Sequence, residues 1–407
     1  MATIEFKGTE ARILDKEGKT VLRLFAAEGV ASSPERDSRI PTVPILELRA
    51  VKGYRQVFKK LRNELRGTPG VQRFPGSMFE FALNAVGRKA GDYSAAVSIG
   101  LEADQSVEEA TSIILQSQFV IVKANWKGVR QDWDPEFLHD LRVATRRVRS
   151  LLGQFKEVLP FAGFKRLRKD LKWIGRVTGP KRDIDVYLST LASYDKVFPS
   201  EVVKGLRPLR DYLLRRQQEE RETVAKALGS GRYRRLVSNW EAAIEVQDRP
   251  ISGVPIAKIA AARIIGVHRR ILSAGEEIGD RFDPQRLHAL RIECKQLRYL
   301  LEFFRTLFGP KVLGHLIKEL KRLQDVLGAI NDLQVQQQNL QRYAKAMVSE
   351  DVSQTATLLN MGRLLGHFET CQVSLFPEFR ESLKSFSQRA VRTSLTDGLL
   401  RYLEDAT

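Results

Sequence analysis

The sequence predicts a mainly α-helical protein, with two pseudo-symmetric four-helix bundles built on an internal repeat and a small α+β domain before them. Three observations carry this. The stretch Asp134–Val186 recurs without a gap 149 residues later as Asp283–Val335, with 18 of 53 aligned positions identical. An internal repeat constrains architecture before any single element is assigned. From Ser106 onward the apolar residues recur at helical spacing and no strand pattern is evident. Before residue 105 the pattern alternates, as half-buried strands do.

The N-terminal 105 residues open on the alternation Ala2, Ile4, Phe6. Ala11–Leu14, the turn Asp15-Lys16-Glu17-Gly18 and Thr20–Phe25 make a hairpin signal. Pro41–Arg49 reads as a third strand. Tyr54–Leu65 turns helical, with Val57, Leu61 and Leu65 on one face, and Phe79–Val86 is a second short helix. Gly87–Ser94 breaks the pattern, and Val97, Ile99 and Leu101 fit a last strand.

The helical part begins at Ser106, whose spacing to Glu109 is that of a capping box. Asp134-Pro135 pairs an N-cap with proline at N1, where its missing N–H costs nothing. The helix it starts runs to about Val158. The next spans Phe164–Val177 and ends at Gly179 as a C′ residue. A third starts at Asp183, read as an N-cap with a salt bridge to the basic face as the alternative, and a fourth covers Glu201–Leu228. Helical segments 233–247 and 254–275 follow. The second copy repeats the scheme as Asp283–Phe308, Leu313–Leu327, Asp332–Met347 and Ser353–Glu369. The Gly/Pro-bearing stretch Asp248–Pro255 separates the copies, placing them at about 106–248 and 254–405.

The chain of 407 residues carries a net charge of +18. Residues 1–105 hold 17 basic and 13 acidic side chains, a net of +4; residues 106–407 hold 50 and 36, a net of +14. The excess lies with the repeat, and a field of that sign attracts a polyanion. The two cysteines, Cys294 and Cys371, imply no disulfide framework. No apolar run reaches transmembrane length and MATIEFKG has no signal-peptide character, so a cytoplasmic location without membrane insertion is expected.

The identities within the repeat include cationic residues as well as apolar ones. His139, Arg142, Arg146 and Arg149 fall within an arc of about 80° on a helix. Leu141, Val148, Leu152 and Phe155 make the separate core stripe. His288, Arg291, Lys295 and Arg298 repeat the arrangement. On the following helix Lys165, Lys169, Lys172 and Arg176 share an arc of about 60°. Lys318, Lys321 and Arg322 stand in for them in copy two, interrupted by Asp325. Like charges at i,i+3 and i,i+4 cost a few tenths of a kcal/mol per pair, roughly, in a free helix. A polyanion lying along the face removes that repulsion and releases its counterions. A single basic stripe would be an ordinary solvated face. Stripes on consecutive helices, in both copies, favour a phosphate-binding surface. The matched histidines travel with no carboxylate or thiolate at fixed spacing, so no metal site is expected. There is no nucleophile–base pair and no Gly-rich phosphate loop, hence no catalytic residue and no cofactor.

At LHDLRVATRRVRSLL (138–152) and LHALRIECKQLRYLL (287–301), followed by Gly179 with Asp183 and Gly328 with Asp332, the chain resembles the CHAD family, the conserved histidine α-helical domain. The resemblance covers about residues 106–405. It implies two four-helix bundles around a basic surface that binds inorganic polyphosphate through His139, Arg142, Arg146, Arg149, Lys169, Lys172, His288, Arg291, Lys295, Arg298, Lys318 and Lys321. Copy two departs from copy one at Lys295, Gln296 and Asp325, in place of Arg146, Arg147 and Arg176, and is expected to bind more weakly. ILELRAVKGY (45–54) and VGRKAGDYS (86–94) resemble the C-terminal part of a CYTH domain, a triphosphate-hydrolysing fold. Such enzymes need a Glu-x-Glu-x-Lys strand. Ile4-Glu5-Phe6-Lys7 supplies one Glu, so a partial, inactive unit is expected.

The expected function is therefore non-enzymatic binding of inorganic polyphosphate or a similar polyanion in the cytoplasm, in association with polyphosphate granules. A CYTH-type triphosphatase or polyphosphatase is one alternative. A nucleic-acid-binding protein is another, and it is less favoured because only Trp173 accompanies the copy-one stripe, where bases would want stacking aromatics.

Overall fold

A computed structural model describes residues 3–33, 36–74, 76–89, 93–97, 99–159, 162–245 and 254–404. Ala2 and most of the expected inter-copy boundary at 248–255 lie outside them, as do Ala90, Gly91 and Asp92 of the second CYTH-like motif. The chain divides into two compact units, Met1–Ser94 and Ala95–Thr407.

In the first unit, β1 (Thr3–Leu14) and β2 (Thr20–Ser33) form a long antiparallel hairpin. The Asp15 carboxylate closes its turn by accepting from the Glu17 and Lys19 amides, and Gly18 supplies the positive φ of 77°. The far edge of β2 is shared by β3 (Arg36–Pro41) and β4 (Ile45–Ala50), both antiparallel. The expected third strand is thus two pieces, separated where Thr42 binds Gly29 through both backbone and hydroxyl. Helices α1 (Arg55–Arg66) and α2 (Met78–Ala85) follow, α2 with a complete capping box from Ser77 and Glu80.

The expected strand at Val97–Leu101 is absent from the described residues. Ile99 and Leu101 are buried in the helical core of the second unit, and no strand partners them. The Thr306 hydroxyl donates to the Ile99 carbonyl (3.0 Å) and accepts from the Leu101 amide (3.4 Å), in place of a sheet ladder.

The second unit is helical throughout its described length: α3 (Val107–Gln131), α4 (Pro135–Gln154), α5 (Ala162–Val177), α6 (Gly179–Leu191), α7 (Ser200–Gly205), α8 (Arg207–Leu228), α9 (Gly231–Ile244), α10 (Ile256–Ile278), α11 (Pro284–Ser349), α12 (Thr355–Ser374), α13 (Phe376–Phe386) and α14 (Arg389–Glu404). The capping box at Ser106 and the N-caps at Asp134 and Asp283 form as their sequences require. Helices α3, α4, α5 and α9 pack together, as do α10, α11, α13 and α14, around one continuous core that includes Phe155, Trp240, Phe303 and Phe304. A second core joins α6, α7 and α8 of copy one to α12 and the end of α11 of copy two, around Tyr187, Leu213, Tyr343 and Phe368. Each apolar cluster therefore draws on both copies.

One expected helix boundary, after Val177, forms without its expected cap, and another does not exist. Gly179 is not a left-handed C′ residue: α6 starts there after a single turn residue, Thr178 at φ −88°. Gly328 and Asp332 lie inside α11, which runs on to Ser349. Asp183 likewise sits inside α6 and caps nothing. Within α11 the chain bends at Gly309 (φ 72°, ψ 169°), just before Pro310.

Candidate functional site

Copy one supplies α4, whose N-cap and proline start it one turn ahead of His139. Leu138, Leu141, Val148, Leu151 and Leu152 anchor its core side. This leaves Arg142, Arg146 and Arg149 half-buried on the other side, lying beside α5 and α6. Arg142 Nη1 donates to the Gly175 carbonyl (2.8 Å) and to the Thr178 hydroxyl (2.7 Å). It thereby satisfies the carbonyl end of α5, the pole that favours a cation. Burial, then the charge of Arg146, pushes Arg142 down to about 10 and lowers Arg149 as well. Asp183, on α6, feels the charges of Arg142 on α4 and Arg342 on α11, while burial raises its carboxyl. Of the two aspartates, Asp332 makes the alternative salt bridge to the basic face, 3.6 Å from Arg291.

Copy two repeats this on α11. Arg291 and Lys295 are half-buried. Burial lowers both, Lys295 to about 7. Arg146 of copy one contributes to each shift, so the two cationic stripes stand within electrostatic reach across the α4–α11 packing. Among the described residues no carboxylate lies within ion-pair distance of Arg146 or Lys295. Arg298 is 3.2 Å from Glu302, which also takes Arg147 at 2.9 Å.

The histidines occupy equivalent positions with different partners. His139 Nδ1 lies 2.9 Å from Arg182 Nη2. Arginine can only donate, so Nδ1 accepts and the ring proton sits on Nε2. Burial, then Arg182, lowers the histidine's pKa. His288 Nδ1 lies 2.7 Å from Asn331 Oδ1 and must donate. Asn331 is the repeat counterpart of Arg182.

Lys165, Lys169, Lys172 and Arg176 stand exposed on α5, and Lys318, Lys321 and Arg322 stand exposed on α11. Of these only Arg322 has an ion pair among the described residues, with Glu319 at 3.4 Å. Trp173 is packed under Arg232, whose guanidinium lies 4.5 Å from the ring centre.

Arg147 does not belong to the basic face. It is buried, donating to Glu302 and to the Ala95 carbonyl. Gln296, its counterpart, bonds Gln154 across the copies. The change from Arg147 to Gln296 therefore removes no exposed cation. Sequence reasoning missed Arg182, Arg168 and Arg342, which act on His139, Arg149 and Asp183 respectively. Their counterparts at Asn331 and Ile317 are not basic, so the repeat could not flag the first two. Among the described residues no three His, Cys, Asp or Glu side chains gather as a metal site, and no helix is long and apolar enough to cross a membrane.

The molecule is thus a repeated helical scaffold with a cationic, histidine-bearing face on each copy. The chain belongs to the CHAD domain family, which it matches over residues 113–341. That family is associated in general with polyphosphate binding. The crystal structure of the CHAD domain from the plant Ricinus communis is similar at 30% identity and a TM-score of 0.63, covering 74% of this chain and 99% of that one. PptA from Streptomyces chartreusis shares the fold at 14% identity and a TM-score of 0.56, covering 69% of this chain and all of that one (100%). Two Mycobacterium tuberculosis proteins are 27% identical over 215 residues, 51% of this chain; the match spans 40% of their length.

Proposed function

We propose that this protein binds inorganic polyphosphate, without turning it over, along the cationic faces of α4, α5 and α11. One observation carries the reading. Arg146 of copy one and Lys295 of copy two repel each other across the α4–α11 packing, and among the described residues neither has a carboxylate within ion-pair distance. A fold that concentrates uncompensated cations at a seam between its two copies is relieved by a bound anion. A linear polymer with one charge per phosphate can also follow the exposed lysines of α5 and α11. Guanidinium forks suit phosphate oxygens, and lysines act as point charges. A nucleic acid is the less favoured ligand, because Trp173 is already covered by Arg232. The reading places the protein in the cytoplasm, with polyphosphate granules.

The first unit is proposed to be CYTH-like and not to hydrolyse triphosphate through its own carboxylates. Its ILELRAVKGY motif forms β4 and leads into α1. Its candidate carboxylates are already engaged by cations: Glu5 with Arg39 at 3.5 Å and Glu47 with Arg49 at 2.9 Å.

The test is a titration of the whole protein with long polyphosphate, triphosphate, single-stranded DNA and heparin at matched charge and salt. Tightest binding is expected for long polyphosphate, weakening steeply with salt. Equal affinity for all four polyanions would reduce the site to a non-specific basic surface.

A further inference from the structure

The repeat places chemically different groups at matching positions, and the difference concerns protons. In copy one every donor facing the ligand is in place at neutral pH. Arg142, Arg146 and Arg149 are guanidinia, and His139 carries its proton on the outer nitrogen because Arg182 occupies Nδ1. In copy two the Asn331 amide turns its oxygen to His288 Nδ1, and its nitrogen lies 3.4 Å from Asp332. That orientation holds the His288 proton on the inner nitrogen. The outer nitrogen of the neutral ring is then an acceptor, which cannot bond a phosphate oxygen. Lys295, where copy one has Arg146, is half-buried with Arg291 and Arg298 on its own helix and Arg146 opposite on α4. The nearest opposing charge, Asp332, is engaged with Arg291.

We propose that copy two couples anion binding to proton uptake. Lys295, isolated among three arginines, becomes a donor to phosphate by taking a proton from solvent as the polymer arrives. Copy one is the constitutive half of the site and copy two the proton-linked half. The depression of Lys295 to about 7 fits this division, since the amine is then about half neutral at physiological pH. A bound phosphate favours the ammonium and draws the proton in. This rests on the polyphosphate reading above and assigns it a regulation: affinity falls as pH rises through neutrality.

The experiment is calorimetric titration of the whole protein with long-chain polyphosphate at about pH 7, in two buffers of different ionisation enthalpy. Internal phosphates of a long chain are fully ionised there, so proton exchange belongs to the protein. The expected result is net uptake of about half a proton by Lys295. Affinity should weaken roughly eight-fold between pH 6.5 and 8 through Lys295 alone. Lys295→Arg should remove that uptake and flatten the pH profile while keeping the charge. Saturable binding with identical heats in both buffers, or uptake unchanged in Lys295→Arg, overturns the proton linkage and leaves the polyphosphate reading standing. No saturable binding in either buffer overturns both.

Discussion

Arg146 and Arg147 are adjacent in the chain and do different things. Arg147 points into the core and holds Glu302 and the Ala95 carbonyl; among the described residues Arg146 has no carboxylate within ion-pair distance. Removing Arg147 leaves Glu302 with Arg298 alone and takes the donor from the Ala95 carbonyl, so Arg147→Ala should lower stability by about 1–3 kcal/mol. That loss should appear in the urea midpoint, with polyphosphate affinity of the folded protein unchanged. Arg146→Ala should do the reverse: unchanged helical circular dichroism and a loss of affinity on the order of 1 kcal/mol. Arg142 is a poorer probe, because it also closes the end of α5, and its truncation should cost both stability and affinity. Lys295 has a stability signature as well. Its folded pKa is about 7 against an unfolded value near the usual lysine range, so between those limits the unfolded chain binds more protons. Stability should therefore rise with pH from about 7 to about 10 through this residue. Lys295→Met should flatten that rise in urea titrations, and a slope identical to the parent's would contradict the burial of the charge.

At the scale of elements, α11 turns through Gly309 in a backbone region that only glycine occupies freely. A Cβ at Gly309 meets open space, so any cost of Gly309→Ala is backbone strain alone. It should lower stability by about 1–3 kcal/mol in chemical denaturation. A parent-like midpoint would mean the bend relaxes. Helix α5 presents Lys169 and Lys172 to solvent without partners. Replacing both by Ala should leave stability within about 0.5 kcal/mol. It should also reduce the slope of log affinity against log salt by roughly one to two units.

At the scale of the molecule, Arg146 lies close enough to Arg291 and Lys295 for one polymer to meet both copies. The second contact is then made at high effective concentration. Long polyphosphate should bind far more tightly per phosphate than triphosphate, and losses from Arg146→Ala and Arg291→Ala should be non-additive. Equal affinity per phosphate at every chain length, with additive losses, would describe two independent patches.

The repeat, the helical period, the N-caps at Ser106, Asp134 and Asp283 and the cationic arcs are all local regularities, set by spacing and side-chain type. They were legible in the chain itself. So were the hairpin at Asp15–Gly18 and the membership of α4 and α11 in one pattern. What lay beyond reach depended on partners distant in sequence. Gly179 resembles a helix terminator, yet Arg142 from another helix satisfies the carbonyls and α6 begins at once. Arg147 resembles its neighbour Arg146 until Glu302, from the other copy, draws it inward. Ile99 and Leu101 alternate like a strand, but a strand needs a partner and Thr306 takes their backbone instead. The opposite proton placements of His139 and His288 follow from Arg182 and Asn331, each 43 residues further along the chain. Periodicity records which face of an element is apolar; only the tertiary structure decides which side chain meets which, and hence which cations are left for a ligand.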